Sequence, residues 1–174
     1  CPAGVWSTSR PVRFDDFKRS ADARREYWRQ KSLTHVEFEK AQPNIGHQTL
    51  AKWEHDGRIA GVITQNIDRL HAKAGTDELI EVHGSLDRGV CLRCDARISI
   101  DELVARADAA GDGVPLCTAC GFHMKSGVVL FGEALPTHAI EAAHAHAERA
   151  DLMLVIGTSL LVAPVSQLPG IVLD

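Results

Sequence analysis

A basic excess is missing from this sequence. Nineteen Lys and Arg stand against 23 Asp and Glu, for a net charge of -4, whereas a surface built to hold phosphate backbones shows the opposite balance. No nucleic-acid partner is expected, and basic partners are mildly favoured. No run of about 18 apolar residues occurs, and no charged-then-apolar leader opens the chain, so neither a membrane span nor a signal peptide is expected. The expectation is a soluble intracellular protein, in a bacterial cytoplasm ahead of a mitochondrial matrix. No Walker-type loop points to ATP, and there are no internal repeats or low-complexity tracts. Cysteines are few and odd in number, five in all. Four of them form two C-x-x-C pairs, which in a reducing compartment read as metal ligands before disulfides. Cys1 is left over.

With 45% hydrophobic residues over 174 positions, the chain can bury a sizeable core. Its pattern alternates helix and strand. Residues 14–31 place Phe17, Ala21 and Trp28 on one helical face. A second helix is expected over residues 45–55, ending at Gly57. Residues 58–64, "RIAGVIT", read as a buried strand and residues 79–82 as a short second one. Past the cysteine pairs, "GVVLFGE" reads as a strand and residues 136–150 as a helix. The apolar run "DLMLVIG", residues 151–157, reads as a closing strand of a covered parallel sheet. The predicted fold is α/β: a Rossmann-like parallel sheet with helices on both faces and a small inserted zinc-ribbon module. The Rossmann-like part would take residues 1–90 and 121–174, and the inserted module residues 91–120.

Parallel sheets bind ligands beyond the carboxyl ends of their strands. Three polar clusters sit at those ends here. Gln65, Asn66, Ile67 and Asp68 follow the first strand, His83 follows the second, and Gly157, Thr158 and Ser159 follow the last. Together they could surround one nucleotide-sized ligand, although Asn, Asp, Gly and Ser also simply make turns. Cys91-x2-Cys94, 22 residues, then Cys117-x2-Cys120 is a four-thiolate set with the pair spacing of tetrahedral zinc. Four protein ligands leave no open position for water, so such a zinc is structural. Thiol exchange is the other use of C-x-x-C, and two pairs with Gly121 just after the last argue against it. His144 and Glu148 could pair on a helix face, where a solvated surface explains them better.

Taken in order, "TQNIDRLHAKAG", "HGS", the two C-x-x-C pairs, "FGE" and "GTSL" resemble the sirtuin family of NAD-dependent protein deacylases, over about residues 60–165. The upstream "RPVRFDDFKRSADARREYWRQ" and "QPNIGH" are most similar to the class holding the mitochondrial lipoamidase-like member and its bacterial relatives. The resemblance implies NAD as cofactor, one structural zinc and acyl-lysine proteins or peptides as partners. It makes His83 the general base, taking a proton from a ribose hydroxyl after nicotinamide has left. Imidazole, which titrates near neutrality, suits that task and typically contributes ~100- to ~10,000-fold. The resemblance further implies that Asn66 orients the ribose and a water, and that Asp68 holds the nicotinamide amide. Gln65 would reach ribose hydroxyls, and Thr158 with Ser159 would contact ribose and phosphate. An acyl-lysine peptide would pair as an added strand with Val129, Phe131, Gly132 and Glu133 and with Leu161 and Val162. Val129 and Phe131 could equally be plain core.

The match departs from the family in places. The glycine-rich phosphate turn and the mobile loop of complete family members have no counterpart, and "CPAGVWS" resembles the sequence just beyond that loop. The expectation is a chain carrying about half of an NAD site. Two alternatives stay open: an ADP-ribosyltransferase using the same constellation, and a catalytically impaired zinc-stapled binding module. "GVWST" offers neither the Tyr nor the Arg that would hold an acidic acyl chain, so neutral acyl groups are expected over succinyl.

Overall fold

A computed structural model of the chain describes residues 10–172; Cys1 and the "GVWST" stretch lie outside them. The chain divides into two compact units, one of residues 10–41 and 85–134, the other of residues 42–84 and 135–172.

In the first unit, α1 (Phe14–Arg19) and α2 (Ala21–Lys40) replace the single helix expected over residues 14–31. The break is Ser20. Its backbone is extended, and its hydroxyl accepts from Ala23 N at 3.2 Å, so it caps α2 instead of continuing α1. Arg24 then donates back to the Phe17 carbonyl at 2.9 Å across the bend. Three antiparallel strands follow in the order β4-β3-β5, with β3 Arg88–Cys91, β4 Arg97–Ser99 and β5 Met124–Ser126. Helix α5 (Ile100–Ala109) is capped by Ser99 and turns Ile100, Leu103, Val104 and Ala107 inward. A Cβ on Gly89 would lie 2.0 Å from Leu103, so only glycine lets α5 approach β3 this closely. The core also takes Phe17, Tyr27, Trp28 and Met124. Phe17, Tyr27 and Trp28 meet edge to face, with centroids 5.0 and 5.3 Å apart, the geometry favoured by ring quadrupoles.

The second unit opens with α3 (Ile45–His55), within the bounds expected. Asn44 accepts from Gly46 N and His47 N at 2.9 and 3.1 Å, closing a capping box with His47. At the other end Gly57, at φ +70, reverses the chain. Strand β1 (Val62–Thr64) pairs in parallel with β2 (Leu79–Glu81), Val62 opposite Leu79 and Thr64 opposite Glu81. The short α4 (Leu70–Lys73) lies between them in sequence. Helix α6 (Thr137–Glu148) lays Ala139, Ala143 and Ala147 against Ile80 and Val82. Small side chains at helical spacing let it sit close to the sheet. A 3-10 turn, Val165–Gln167, and α7 (Leu168–Ile171) complete the cluster.

Two expected strands are absent. Residues 127–133 form bends and a turn, the strand having ended at Ser126. Residues 151–157 carry no strand pairing either, and Leu152 is 75% exposed, with Leu154, Val155 and Ile156 also exposed. An apolar run reads as a covered strand, but a ladder needs neighbours, and the parallel sheet of the described residues holds β1 and β2 alone.

Candidate active site and zinc centre

The parallel pair in the second unit sets the site. Thr64, the last residue of β1, is buried; its carbonyl accepts Val82 N at 3.1 Å and its hydroxyl accepts Asn66 N at 3.1 Å. The chain is thereby turned out of the sheet at Gln65 and Asn66 directly beside the end of β2. His83 follows, half-buried, with Nδ1 3.0 Å from the Gln65 carbonyl oxygen. A carbonyl only accepts, so that nitrogen carries the proton, and in a neutral ring Nε2 keeps its lone pair. The Gln65 carboxamide reaches the other way and donates to Thr158 Oγ1 at 3.0 Å. Thr158 in turn accepts Leu160 N at 3.1 Å, with Gly157 and Leu160 both at positive φ. The three polar clusters expected from the sequence therefore meet, with Gln65 bridging His83 and the Gly157, Thr158 and Ser159 loop.

Asp68 takes its place through a backbone turn. Its Oδ1 accepts Leu70 N at 2.9 Å, holding the carboxylate at the start of α4. Asn66, Thr158 and Ser159 are exposed, and Ile67 and Asp68 are half-buried. The carboxamides that follow β1, with the hydroxyls and glycine of the Thr158 loop, form a donor and acceptor set suited to ribose and phosphate oxygens. His71, on α4, is titrated downward, first by burial and then by the neighbouring His47, with Asp68 opposing. It stays neutral more readily than an ordinary histidine. Leu161, 84% exposed, and Val162 follow the Thr158 loop in the same unit.

In the first unit the peptide-binding candidates lie on the segment after β5. Val129 is half-buried; Phe131 is 55% exposed, so packing does not account for it. The Glu133 carboxylate is turned inward, 3.2 Å from Lys125. That buried lysine carries no periodic or motif signal in the sequence.

The zinc centre is built from two matching turns. Cys91 ends β3, Cys94 follows in the turn, and Asp95 after it has φ +56; in the second pair Gly121 after Cys120 has φ +69. The same left-handed residue after each C-x-x-C turns both pairs of thiols the same way. Cys91 Sγ lies 3.4 Å from Cys120 Sγ and Cys94 Sγ 3.7 Å from Cys117 Sγ, and all four lie within 4.8 Å of one another. Thiolates at roughly 2.3 Å from a tetrahedral zinc stand about 3.8 Å apart, whereas a disulfide would bring two sulfurs to about 2.05 Å. The donor set fits one structural zinc with no open coordination position. Arg93 stacks on Phe122, 4.0 Å from the ring centroid, and ties the two turns together. Among the described residues one other set, His35, Glu39 and Asp101, is close enough for a metal, and both its carboxylates are exposed; His144 and Glu148 fall in neither.

The model of the Sir2 family matches residues 2–164. The chain belongs to the Sir2 family. It is 41% identical over 169 residues to "NAD-dependent protein deacetylase 2" of Caldanaerobacter subterraneus, covering 97% of this chain and 67% of that protein. It is 36% identical over 178 residues to the human "NAD-dependent protein lipoamidase sirtuin-4, mitochondrial", covering 88% of this chain and 57% of that one. Among solved structures, "Sir2-p53 peptide-NAD+" superposes with a TM-score of 0.87 at 36% identity, covering 98% of this chain and 68% of that one. The chain thus spans roughly half to two thirds of the length of these Sir2 relatives. Its fold is the Sir2 fold, Rossmann-like α/β with a parallel sheet and a four-cysteine module. No helix among the described residues is long and apolar enough to cross a membrane.

Proposed function

We propose that this Sir2-family chain serves NAD-dependent removal of acyl groups from lysine side chains of proteins or peptides, releasing nicotinamide and passing the acyl group to ADP-ribose. The observation that carries the reading is the His83 ring held through Nδ1 on the Gln65 carbonyl, which leaves Nε2 as the proton acceptor beside the Gln65 and Thr158 pair. When bound, NAD supplies an anomeric carbon from which nicotinamide can leave. His83 then takes the proton of a ribose hydroxyl. Asn66 orients that sugar and a water, Asp68 receives the nicotinamide amide, and Gln65, Ile67, Gly157, Thr158 and Ser159 line the ribose and phosphate. Val129, Phe131 and Gly132, with Leu161 and Val162, are assigned to the acyl-lysine peptide. The zinc staples the cysteine module and takes no part in the chemistry. Cysteine pairs that read as zinc ligands rather than disulfides, and bacterial relatives such as the Caldanaerobacter deacetylase, favour a bacterial cytoplasm.

The test is nicotinamide release with and without an acetyl-lysine peptide. The proposal expects release only with the acylated peptide, matched mole for mole by O-acyl-ADP-ribose. Label from NAD transferred to protein would establish the ADP-ribosyltransferase reading instead, and zinc retention without turnover would leave a binding module. A panel of acyl-lysine peptides extends the test: acetyl and longer neutral chains are expected to turn over faster than succinyl, and a succinyl peptide running fastest would refute that preference.

A further inference from the structure

The segment assigned to the acyl-lysine peptide is held from beneath by a buried ion pair. Lys125, the middle residue of β5, is buried, and its ammonium donates to the carbonyls of Ser126 at 3.0 Å and Val128 at 2.8 Å. Its third partner is Glu133 at 3.2 Å, whose side chain is only 17% exposed. The same carboxylate oxygen accepts Leu130 N at 2.8 Å. One lysine and one glutamate therefore fix three backbone groups of residues 126–130 from inside the fold. On the outer side, Phe14 N at the start of α1 donates to the Phe131 carbonyl at 3.0 Å. A Cβ on Gly132, which sits at φ +85, would meet the Arg13 guanidinium at 3.4 Å.

This arrangement is costly. Burial pulls the Lys125 ammonium below the ordinary lysine range, against the opposing pull of Glu133, and the nearby Lys31 is lowered to about 8 by burial and by Lys125. A buried ion pair is seldom retained for stability alone, because apolar side chains of similar volume would serve the core as well. What it supplies here is shape. Residues 127–133 have no ladder to define them, yet Val129 and Phe131 must be presented to an incoming strand at a set spacing.

We propose that Lys125 and Glu133 are positioning residues for the peptide: their ion pair shapes residues 126–133, and Glu133 acts through Lys125 and not by touching substrate. The proposal rests on the deacylase reading of the same chain. Lys125→Met removes the charge at similar volume, Glu133→Gln keeps an acceptor for Leu130 N, and the double variant removes both charges. Each is prepared with zinc bound and compared by hydrogen exchange and by steady-state kinetics. In Lys125→Met the amides of residues 127–133 are expected to exchange faster, with those of residues 88–124 unchanged. KM for an acetyl-lysine peptide should rise roughly ten- to hundredfold, because ordering a loosened segment costs binding in ground and transition state alike, while kcat and the KM for NAD stay within about twofold. Glu133→Gln should show the same split more mildly, and the double variant should be no worse than Lys125→Met, since the two side chains act as one unit.

Unchanged exchange and unchanged peptide KM in both single variants would overturn the proposal. So would a loss of zinc or a parallel fall of all kinetic constants in Glu133→Gln, the variant least prone to misfold. If the unmodified protein turns over no acyl-peptide, the deacylase reading fails, and exchange of residues 127–133 still decides whether the pair shapes the segment.

Discussion

Alanine at His83 is expected to cut formation of free lysine and O-acyl-ADP-ribose by ~100- to ~10,000-fold, the range typical of a lost general base. The fold should survive the change. His83 is half-buried and contributes a hydrogen bond to the Gln65 carbonyl, worth about 1 kcal/mol net. The expected defect is specific to one stage. Because the proposed base acts after nicotinamide has departed, release of nicotinamide in the presence of acyl-peptide should suffer less than product formation, and the ratio of the two is the diagnostic quantity. His83→Asn separates chemistry from scaffolding, since its amide can still donate to Gln65 but cannot take a proton at neutral pH. Both variants should be alike in activity if Nε2 is the base. Chromatography of the nicotinamide and acyl-ADP-ribose pools checks the prediction, and undiminished product in the alanine variant would reject the mechanism.

The parts of this chain that could be read from sequence are those whose cause is local. Helix α3 ends before Gly57, at φ +70, and that glycine announces the stop. The cysteine spacing encodes a turn geometry, and the four sulfurs gather as that spacing required. The meeting of Gln65 and His83 was also legible, because the ends of the paired parallel strands β1 and β2 lie side by side; Thr158 joins them through the Gln65 carboxamide although no strand precedes it. Errors came where one observable stood for two causes. Hydrophobic runs at residues 127–133 and 151–157 suggested covered strands, but burial and strand pairing depend on neighbours far away in sequence. The Ser20 break leaves no mark in the sequence pattern because helical periodicity continues across it, with Phe17 and Trp28 both buried. Lys125 was illegible for a different reason. Its burial follows from distant packing, such as the Tyr27 hydroxyl that accepts Ser126 N at 3.2 Å from 99 residues away, and no window of sequence around a single lysine contains that.

Removing zinc is expected to unfold the first unit. Cys91 and Cys117 are buried members of its core, packed in one cluster with Trp28, Leu103, Val114 and Met124. Two of the four metal ligands are therefore also core residues, so loss of the metal is expected to disturb both together. Apparent zinc-binding free energies in small four-ligand modules are about 10–16 kcal/mol, at least as large as the whole stability of a typical domain, about 5–15 kcal/mol. Chelation should accordingly release one zinc per chain together with loss of the α1, α2 and α5 helical signal and protease sensitivity between residues 88 and 126. Cys94→Ser should have nearly the same effect, although Cys94 is exposed and contributes little packing; a destabilisation of several kcal/mol from so exposed a position could come only through the metal. Protons compete with zinc for thiolates, so release should begin at lower chelator concentration as pH falls. A chelated protein that kept its melting temperature would show that the four thiols are held by the core alone, and would sever the zinc from the shape of the neighbouring peptide segment. If instead zinc loss accelerates exchange at residues 127–133 before the rest of the unit melts, the order of events runs from Cys120 through β5 to Lys125, the shortest covalent path between the staple and the segment.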